Sequence, residues 1–194
     1  MRIAIIDYGA GNTQSVKYAL KRLGCEGVLT SDKEVISKSD KVIFPGVGQA
    51  SSAMKKLKSK SLDVLIPNLK QPVLGICLGM QLMCNFSEEG DVDCLRIFDS
   101  NVKRFNNLLK VPQIGWNTIF DLKTRLFDSV YENEYMYLVH SYYVPVLTDT
   151  VATSNYGINY STAVKKNNFT GVQFHPEKSG SKGELVLKNF INNK

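Results

Sequence analysis

The sequence predicts an α/β fold: an open, mostly parallel sheet flanked by helices, with an antiparallel strand extension. In the first half of the chain, short apolar runs alternate with stretches whose apolar residues recur at helical spacing. This alternation is typical of parallel strands joined by crossover helices. In the second half, short strand-like runs are separated by turn residues instead, which favours antiparallel pairing. A sheet of this kind binds its ligands at the carboxyl ends of the parallel strands.

Length and composition are those of an ordinary globular chain. The 194 residues fit one domain, 1–194, and 43% hydrophobic with 22% charged residues is typical of soluble proteins. No apolar run is long enough to span a bilayer and the N-terminal run does not resemble a signal peptide, so we expect a cytoplasmic location. The four cysteines have no Cys-x-x-Cys spacing and no histidine nearby, which predicts reduced thiols, with no metal site and no disulfide framework.

The strands and helices of the first half can be placed in order. We expect strands at 2–7, 28–30 and 41–44, with a short helix from about 32 between the last two. Helices follow the first strand, closed by Gly24, and follow the third strand as far as about residue 68. The lysine-rich segment 55–60 is interpreted as the solvated face of that helix, because no aromatic residues are interleaved for nucleic-acid binding.

The first strand ends in a glycine-containing loop that invites comparison with a dinucleotide-binding motif. Gln14 stands where Gly-x-Gly-x-x-Gly requires its third glycine, after Gly9 and Gly11. We therefore interpret this loop as a tight turn beside the edge of the sheet where the site lies.

Residues 71–85 form the stretch around which the chain is organised. An uncharged apolar run at 73–76 predicts a buried strand, and Gly75-Ile-Cys77-Leu-Gly79 has the pattern of a nucleophile elbow, a sharp turn from strand to helix. A cysteine there lies at a helix N-terminus, which favours the thiolate, and the N–H of Leu78 can face an oxyanion. The alternative is that Cys77 is simply a small core residue.

The base that such a nucleophile needs must be one of two histidines, His140 or His175. His175 ends a strand-like run and precedes Pro176, which keeps it extended, so that His175 and Glu177 project to the same side. A base and the carboxylate that orients it require this arrangement. His140 is interpreted as structural, and an exposed loop histidine remains the alternative for His175.

The rest of the second half is predicted as strands and turns. The region 85–110 is expected to be irregular, and strands are expected at 135–144, 151–155, 162–165 and 170–174. Asn167 and Asn168 are predicted to form a hairpin turn, and Ser181 to cap the last helix.

These motifs resemble those of a known family, the class I (triad) glutamine amidotransferases. Within that family the sequence is most similar to the glutaminase subunits of imidazole glycerol phosphate synthases, which serve histidine biosynthesis. The resemblance covers essentially the whole chain. It rests on the elbow and on the following blocks, in the family's order: Asp7-Tyr-Gly-Ala-Gly-Asn12, Pro45-Gly-Val-Gly48, Val111-Pro-Gln-Ile-Gly-Trp-Asn117, Val139-His-Ser-Tyr-Tyr-Val144 and Gly171-Val-Gln-Phe-His-Pro-Glu-Lys-Ser179.

The resemblance implies a role for each matching residue. Cys77, His175 and Glu177 match the catalytic triad, and the backbone of Val47, Gly48 and Leu78 matches the oxyanion hole. Residues that match the substrate site are Gln81, Glu89, Ser141 and Tyr142, and residues that match the interface with a partner are Trp116, Tyr137 and Lys178. Taken one by one, Gln81 and Glu89 are equally typical of a protein surface, Trp116 and Tyr137 of a core, and Lys178 of a free surface charge.

The implied activity is hydrolysis of L-glutamine to glutamate and ammonia, without a cofactor. The implied partner is a barrel-type cyclase subunit that forms a heterodimer with the glutaminase and receives the ammonia. Two departures bear on this: Gln113 stands where the family has histidine, near the expected interface, and 91–98 lacks the usual glycine-rich pattern.

Three alternatives to this activity stay open. The first is a glutaminase that feeds another acceptor enzyme, such as a sugar amidotransferase, and the departure at Gln113 is what favours it. The second is a non-catalytic subunit, which the complete set of Cys77, His175 and Glu177 argues against. The third is a cysteine hydrolase or deglycase on a related sheet, which the Phe-His-Pro-Glu block disfavours.

Overall fold

The computed structural model describes residues 1–9, 11–106 and 110–193. Its strands are β1 Ile3–Ile6, β2 Gly27–Thr30, β3 Lys41–Gly46, β4 Val73–Cys77, β5 Phe86–Ser87, β6 Val92–Asp93, β7 Asn101–Arg104, β8 Gln113–Ile119, β9 Glu134–His140, β10 Tyr142–Pro145, β11 Thr150–Asn155, β12 Asn159–Lys166 and β13 Phe169–Val172. Its α-helices are α1 Thr13–Arg22, α2 Lys33–Ser37, α3 Ala50–Ser59, α4 Leu62–Leu65, α5 Leu78–Leu82 and α6 Gly180–Asn192. Short 3₁₀ turns lie at Ile66–Asn68, Arg125–Phe127 and Pro176–Lys178.

The central sheet confirms the predicted fold class. Its parallel part has the order β2-β1-β3-β4-β13, and β12, β10 and β7 continue it with antiparallel pairing. Helices cover both faces of the parallel part. In β1, Ile3 and Ile5 belong to the apolar cluster that includes α1 and α6, whereas Ala4 and Ile6 belong to the cluster that includes α2, α3 and α4. A strand buried on both faces therefore reads as a continuous apolar run.

The pairing of β13 with β4 brings the two halves of the chain together. Residues 167 and 168 make the predicted two-residue turn between β12 and β13, with Asn167 at φ 54°. The hairpin returns the chain into the parallel sheet, where Gly171 and Val172 pair with Gly75 and Ile76. His175 therefore follows its strand at the same sheet edge at which Cys77 ends β4.

Three expectations about local structure were wrong. β8 begins at Gln113 and pairs with β9 in a separate hairpin, although the first strand expected after residue 110 was the one at 135–144. The strand expected at 135–144 is two strands broken at Ser141, because β9 belongs to that hairpin and β10 to the main sheet. The last helix starts at Gly180, and Ser179, not Ser181, occupies the position before it.

The region expected to be irregular contains short paired strands. β5 pairs with β6 in an antiparallel turn and with β7 in parallel. Phe98 and Val102 are fully buried, and they pack the segment from β5 to β7 against the apolar cluster that includes α3. The structure thus gives 91–98 a definite path without the glycine-rich pattern, while 107–109 lie outside the described residues.

The elbow depends on a close approach between α5 and the sheet. Cys77 has φ 53° and ψ −112°, a conformation that costs a side-chain-bearing residue about 1–3 kcal/mol. A Cβ on Gly79 would lie 1.9 Å from the carbonyl oxygen of Phe44, and one on Gly75 would lie 2.9 Å from the backbone nitrogen of Met80. A side chain larger than hydrogen at either position would therefore overlap neighbouring atoms.

Within the described residues, no helix is long and apolar enough to cross a membrane.

We expect Gly79→Ala to destabilise the fold by about 3 kcal/mol, because its methyl group would overlap backbone that cannot move without shifting β3. Urea unfolding measures this change. Ser52→Ala, on the exposed face of α3, is the control and should stay within about 0.5 kcal/mol of wild type. Equal stability of the two variants would contradict the packing described for the elbow.

Candidate active site

A cavity of about 190 Å³ opens where β4 ends, and it is the place where the predicted site residues meet. This volume is smaller than the pockets that hold drug-sized molecules, and it suits a single small metabolite. The cavity is lined by Val47, Gly48, Cys77, Leu78, Gln81, Glu89, Val139, His140, Ser141, Tyr142 and His175. Every residue predicted for the oxyanion hole and the substrate site is in this set.

The thiol of Cys77 is held at the floor of the cavity by polar contacts. Its side chain is buried, and Sγ lies 3.9 Å from the carbonyl oxygen of Val139. The side-chain amide of Gln173 donates to Sγ at 3.7 Å and its oxygen accepts from Nε2 of Gln81 at 2.8 Å. Sequence reasoning missed Gln173, although its position two residues before His175 in an extended chain indicates the same side.

His175 and Glu177 form the predicted pair. Nδ1 of His175 donates to Oε1 of Glu177 at 2.8 Å, and both side chains are almost fully buried. The other ring nitrogen, Nε2, is buried and makes no conventional hydrogen bond. Burial by itself lowers the pKa of His175, but the neighbouring Cys77 and Glu177 outweigh it and raise that pKa to about 10. Both neighbours therefore favour the protonated form of the imidazole.

His140 has the opposite electrostatic character. Burial lowers its pKa to about 4, against the opposing effect of the hydrogen bond from Nδ1 to the carbonyl oxygen of Tyr142 at 2.7 Å. A neutral ring that donates from Nδ1 keeps Nε2 unprotonated. Its ring packs against Phe105 and Tyr160, with centroids 5.3 and 5.4 Å away. The structure thus agrees with the interpretation of His140 as a structural residue.

The backbone of His175 is braced by β9. Its N–H donates to the carbonyl oxygen of Tyr137 at 2.9 Å. The hydroxyl of Ser179 accepts from the N–H of Tyr137 at 2.9 Å and donates to the carbonyl oxygen of His175 at 2.7 Å. Ser179 therefore closes a ring of three hydrogen bonds between β9 and the segment that carries His175.

The predicted oxyanion segment runs beside the elbow. Gly46 pairs with Cys77 across β3 and β4, and Val47 and Gly48 continue from it along the cavity. Beneath this segment lies Tyr8, a buried residue that sequence reasoning missed; its hydroxyl oxygen is 2.8 Å from where a Cβ on Gly46 would be. α5 has only five residues, so its dipole at Cys77 is weaker than that of a longer helix.

The substrate-site residues divide between side-chain and backbone groups. Nε2 of Gln81 also donates to the carbonyl oxygen of Tyr142 at 2.8 Å, and Gln81 is buried, not on a helix surface. Glu89 is partly buried in the turn between β5 and β6, and burial raises its pKa, partly offset by a hydrogen bond from the N–H of Ala50. Ser141 and Tyr142 line the cavity at the break between β9 and β10.

The three residues predicted for a partner interface lie together on the surface. Trp116 and Tyr137 are paired across β8 and β9, with ring centroids 6.0 Å apart. Nζ of Lys178 lies 5.9 Å from the centre of the Tyr137 ring. Trp116 is 56% exposed and Ile114, on the same strand face, is 63% exposed. An exposed aromatic and apolar patch of this kind is typical of a protein interface.

Gln113, the main departure from the family pattern, is not on that surface. It is buried, pairs with His140 across β8 and β9, and its side-chain oxygen accepts from the hydroxyl of Tyr160 at 3.1 Å. Gln113 and Trp116 are three positions apart on β8, so their side chains point to opposite faces of the strand.

Comparison with known proteins shows which family the chain belongs to. The family model for glutamine amidotransferase class-I matches residues 4–193. The chain belongs to this family. Among curated relatives, imidazole glycerol phosphate synthase subunit HisH of Bacteroides fragilis (strain YCH46) is 58% identical over 98% of this chain and 99% of its own length. The subunit of the same name from Haemophilus influenzae (strain Rd) is 50% identical over 98% of this chain and 97% of its own length.

Two solved structures have the same fold. PurLQS from Thermotoga maritima superposes with a TM-score of 0.75 at 18% identity, covering 98% of this chain and 97% of that one. A glutamine amidotransferase from Thermotoga maritima superposes with a TM-score of 0.65 at 18% identity, covering 98% of this chain and 80% of that one. These neighbours support the class I amidotransferase fold, and the sheet with its flanking helices is what they share with this chain.

We expect the two histidines to titrate at opposite ends of the pH scale, as measured by NMR of the ring carbons. His175 should stay protonated until the pH approaches about 10, whereas His140 should stay neutral until the pH falls to about 4. Glu177→Gln should lower the pKa of His175, because it removes the carboxylate that stabilises the imidazolium. A His175 ring that titrates near the unperturbed value of about 6.5 would contradict the site described here.

The same shifts set the pH dependence of folding. The folded-state pKa of His175 is raised, so its contribution to stability is complete below about 6.5 and is lost as the pH rises towards about 10. The folded-state pKa of His140 is depressed, so its contribution is complete above about 6.5 and is lost as the pH falls through about 4.

Proposed function

We propose that this chain is the glutaminase subunit of an imidazole glycerol phosphate synthase, and that it hydrolyses L-glutamine through Cys77, His175 and Glu177. The observation that carries the proposal is the cavity at which a strained cysteine, a histidine–glutamate pair and the carboxylate of Glu89 converge. A nucleophile, a general acid–base and a group for an ammonium ion are what hydrolysis of an amino-acid side-chain amide requires. The names of the full-length relatives support the same activity.

In the first half of the proposed reaction, Cys77 reacts as a thiolate whose proton has passed to His175, and Sγ attacks the side-chain amide carbon of glutamine. The N–H groups around Val47 and Gly48, with that of Leu78, stabilise the negative charge that develops on the oxygen. The C–N bond then breaks, and His175 gives its proton to the leaving nitrogen so that ammonia departs. Because Cys77 and Glu177 favour the protonated imidazole, this proton is in place before glutamine binds. The product on the enzyme is a glutamyl thioester of Cys77.

In the second half, water replaces ammonia. The now neutral His175 accepts a proton from water as the oxygen attacks the thioester carbon, and Glu177 stabilises the imidazolium that forms again. The C–S bond breaks, glutamate leaves, and Cys77 returns to its starting state. The braced backbone of His175 suits a group that must serve as an acid and then as a base at one position.

The proposed destination of the ammonia is a barrel-type cyclase subunit bound as a heterodimer. Ammonia in neutral water is mostly ammonium, which is no nucleophile, so direct transfer between subunits is needed. We assign the partner surface to Trp116, Tyr137 and Lys178, which cluster on one exposed face. The strand that carries Tyr137 also braces His175, so this surface has a direct mechanical connection to the site.

Two observations weigh against the alternatives raised by the sequence. A glutaminase for a different acceptor was suggested by Gln113, but Gln113 is buried and hydrogen-bonded to Tyr160, so it does not change the exposed face. A non-catalytic subunit has no need of the strained backbone at Cys77, which costs stability, or of a buried His175–Glu177 pair beside it.

We expect Cys77→Ala to abolish glutamine hydrolysis by the complex with the cyclase of the same organism, while synthesis from added ammonium salts continues. The variant removes the nucleophile and leaves the partner intact. Cys25→Ala, at a partly exposed thiol outside the cavity, is the control and should keep the wild-type rate. Glutamate release that persists in Cys77→Ala would refute the proposed nucleophile, and an absence of glutamine hydrolysis in the wild-type complex would refute the proposed function.

We expect Trp116→Ala to weaken binding of the cyclase subunit by about 2 kcal/mol or more, because buried aromatic residues dominate interface energies. Isothermal calorimetry measures the change. Tyr131→Ala is a matched control: Tyr131 is also exposed, with Nζ of Lys182 5.0 Å from its ring centre, but it lies beyond the end of β8 and β9. Equal affinities for the two variants would place the interface elsewhere.

A further inference from the structure

Glu89 makes a contact that the proposed reaction does not use. Its Oε2 accepts a hydrogen bond from the backbone N–H of Ala50 at 3.0 Å, while the same residue lines the cavity. Ala50 is the first residue of α3, where backbone N–H groups lack helical partners. The carboxylate therefore joins the turn between β5 and β6 to the start of a helix 39 positions earlier in the chain.

The start of α3 is also the end of the oxyanion segment. Gly48 lines the cavity, and one residue, Gln49, separates it from Ala50. Gln49 is extended, with φ −95° and ψ 136°, so a single extended residue connects Gly48 to the Ala50 N–H that Glu89 binds. The N–H of Ala50 is therefore two residues along the chain from the backbone donor of Gly48 and three from that of Val47.

A second contact joins the same two segments. A Cβ on Gly90 would lie 2.4 Å from Oγ of Ser51 and 3.3 Å from Nε2 of Gln49. The turn that carries Glu89 is thus packed directly against the first turn of α3. Besides this packing, the N–H of Glu89 donates to the hydroxyl of Ser87 at 3.1 Å, which fixes the carboxylate's own backbone.

We propose that Glu89 is a positioning residue for the oxyanion hole: its hydrogen bond to Ala50 holds the segment from Gly46 to Gly48 in place while the same carboxylate receives the α-ammonium group of the substrate. This inference rests on the proposed function, since it assumes that glutamine occupies the cavity. Recognition at the amino-acid end of glutamine is then coupled to stabilisation of the oxyanion at the amide end. Loss of the anchor should lower kcat, and loss of the charge should raise KM.

The two roles can be separated by substitution. Ala50→Pro removes the N–H, and proline is accepted at the first position of a helix, where the extended Gln49 suits the residue before a proline. Ala50→Gly is its reference, since it keeps the N–H but perturbs the same buried position. Glu89→Gln keeps an acceptor oxygen for Ala50 and loses the charge, whereas Glu89→Ala loses both.

The experiment measures kcat and KM for glutamine hydrolysis by each variant in complex with the cyclase subunit, together with the melting temperature of each chain. We expect kcat of Ala50→Pro to fall roughly ten- to a hundredfold below that of Ala50→Gly, with KM changed much less. We expect Glu89→Gln to raise KM mainly, and Glu89→Ala to lower kcat below the kcat of Glu89→Gln by a similar roughly tenfold factor.

Two results would overturn the inference. One is a folded Ala50→Pro with the kcat of Ala50→Gly. The other is an equal kcat for Glu89→Gln and Glu89→Ala, which would mean that the hydrogen bond from Ala50 to Glu89 does not affect the reaction. This second result decides the question if Ala50→Pro does not fold. Failure of the proposed function is a separate outcome, because in that case the wild-type complex itself releases no glutamate from glutamine.

Discussion

The contact between Gly79 and the carbonyl oxygen of Phe44 is the constraint on which the rest of the site depends. It allows α5 to start directly over β3, so that the chain reverses within one residue and Cys77 takes up a left-handed conformation at the turn. The strain in that residue is kept only because β4 is fixed between β3 and β13. A rigid parallel sheet therefore supplies the position of the thiol.

The second half of the chain supplies the base. β13 enters the sheet beside β4, and the segment that follows it is tied to β9 through Tyr137 and Ser179, which places His175 and Glu177 over the end of β4. Neither half contains a complete site. The cavity exists because one parallel pairing, β4 with β13, joins residues about a hundred positions apart. The hydrogen bonds that tie this segment to Tyr137 also connect it to the β8–β9 hairpin, whose other face is exposed.

Sequence patterns predicted what is local and missed what depends on distant pairing. Gly75, Gly79 and Cys77 follow from contact at one turn, and His175 with Glu177 follows from their spacing before and after a proline. The break at Ser141 was missed because a continuous apolar run does not reveal that β9 and β10 pair with different partners. The burial of Gln113 and the contact of Gln173 with Cys77 were missed because both depend on side chains brought together from separate strands.

The most direct test of the central claim, that Cys77 is the nucleophile for the side-chain amide of glutamine, is peptide mapping by mass spectrometry after treatment with a diazoketone analogue of glutamine. The account predicts one covalent adduct, on Cys77, whose formation is slowed by added glutamine. Modification of Cys25 in its place, or modification of Cys77 that glutamine does not slow, would contradict it.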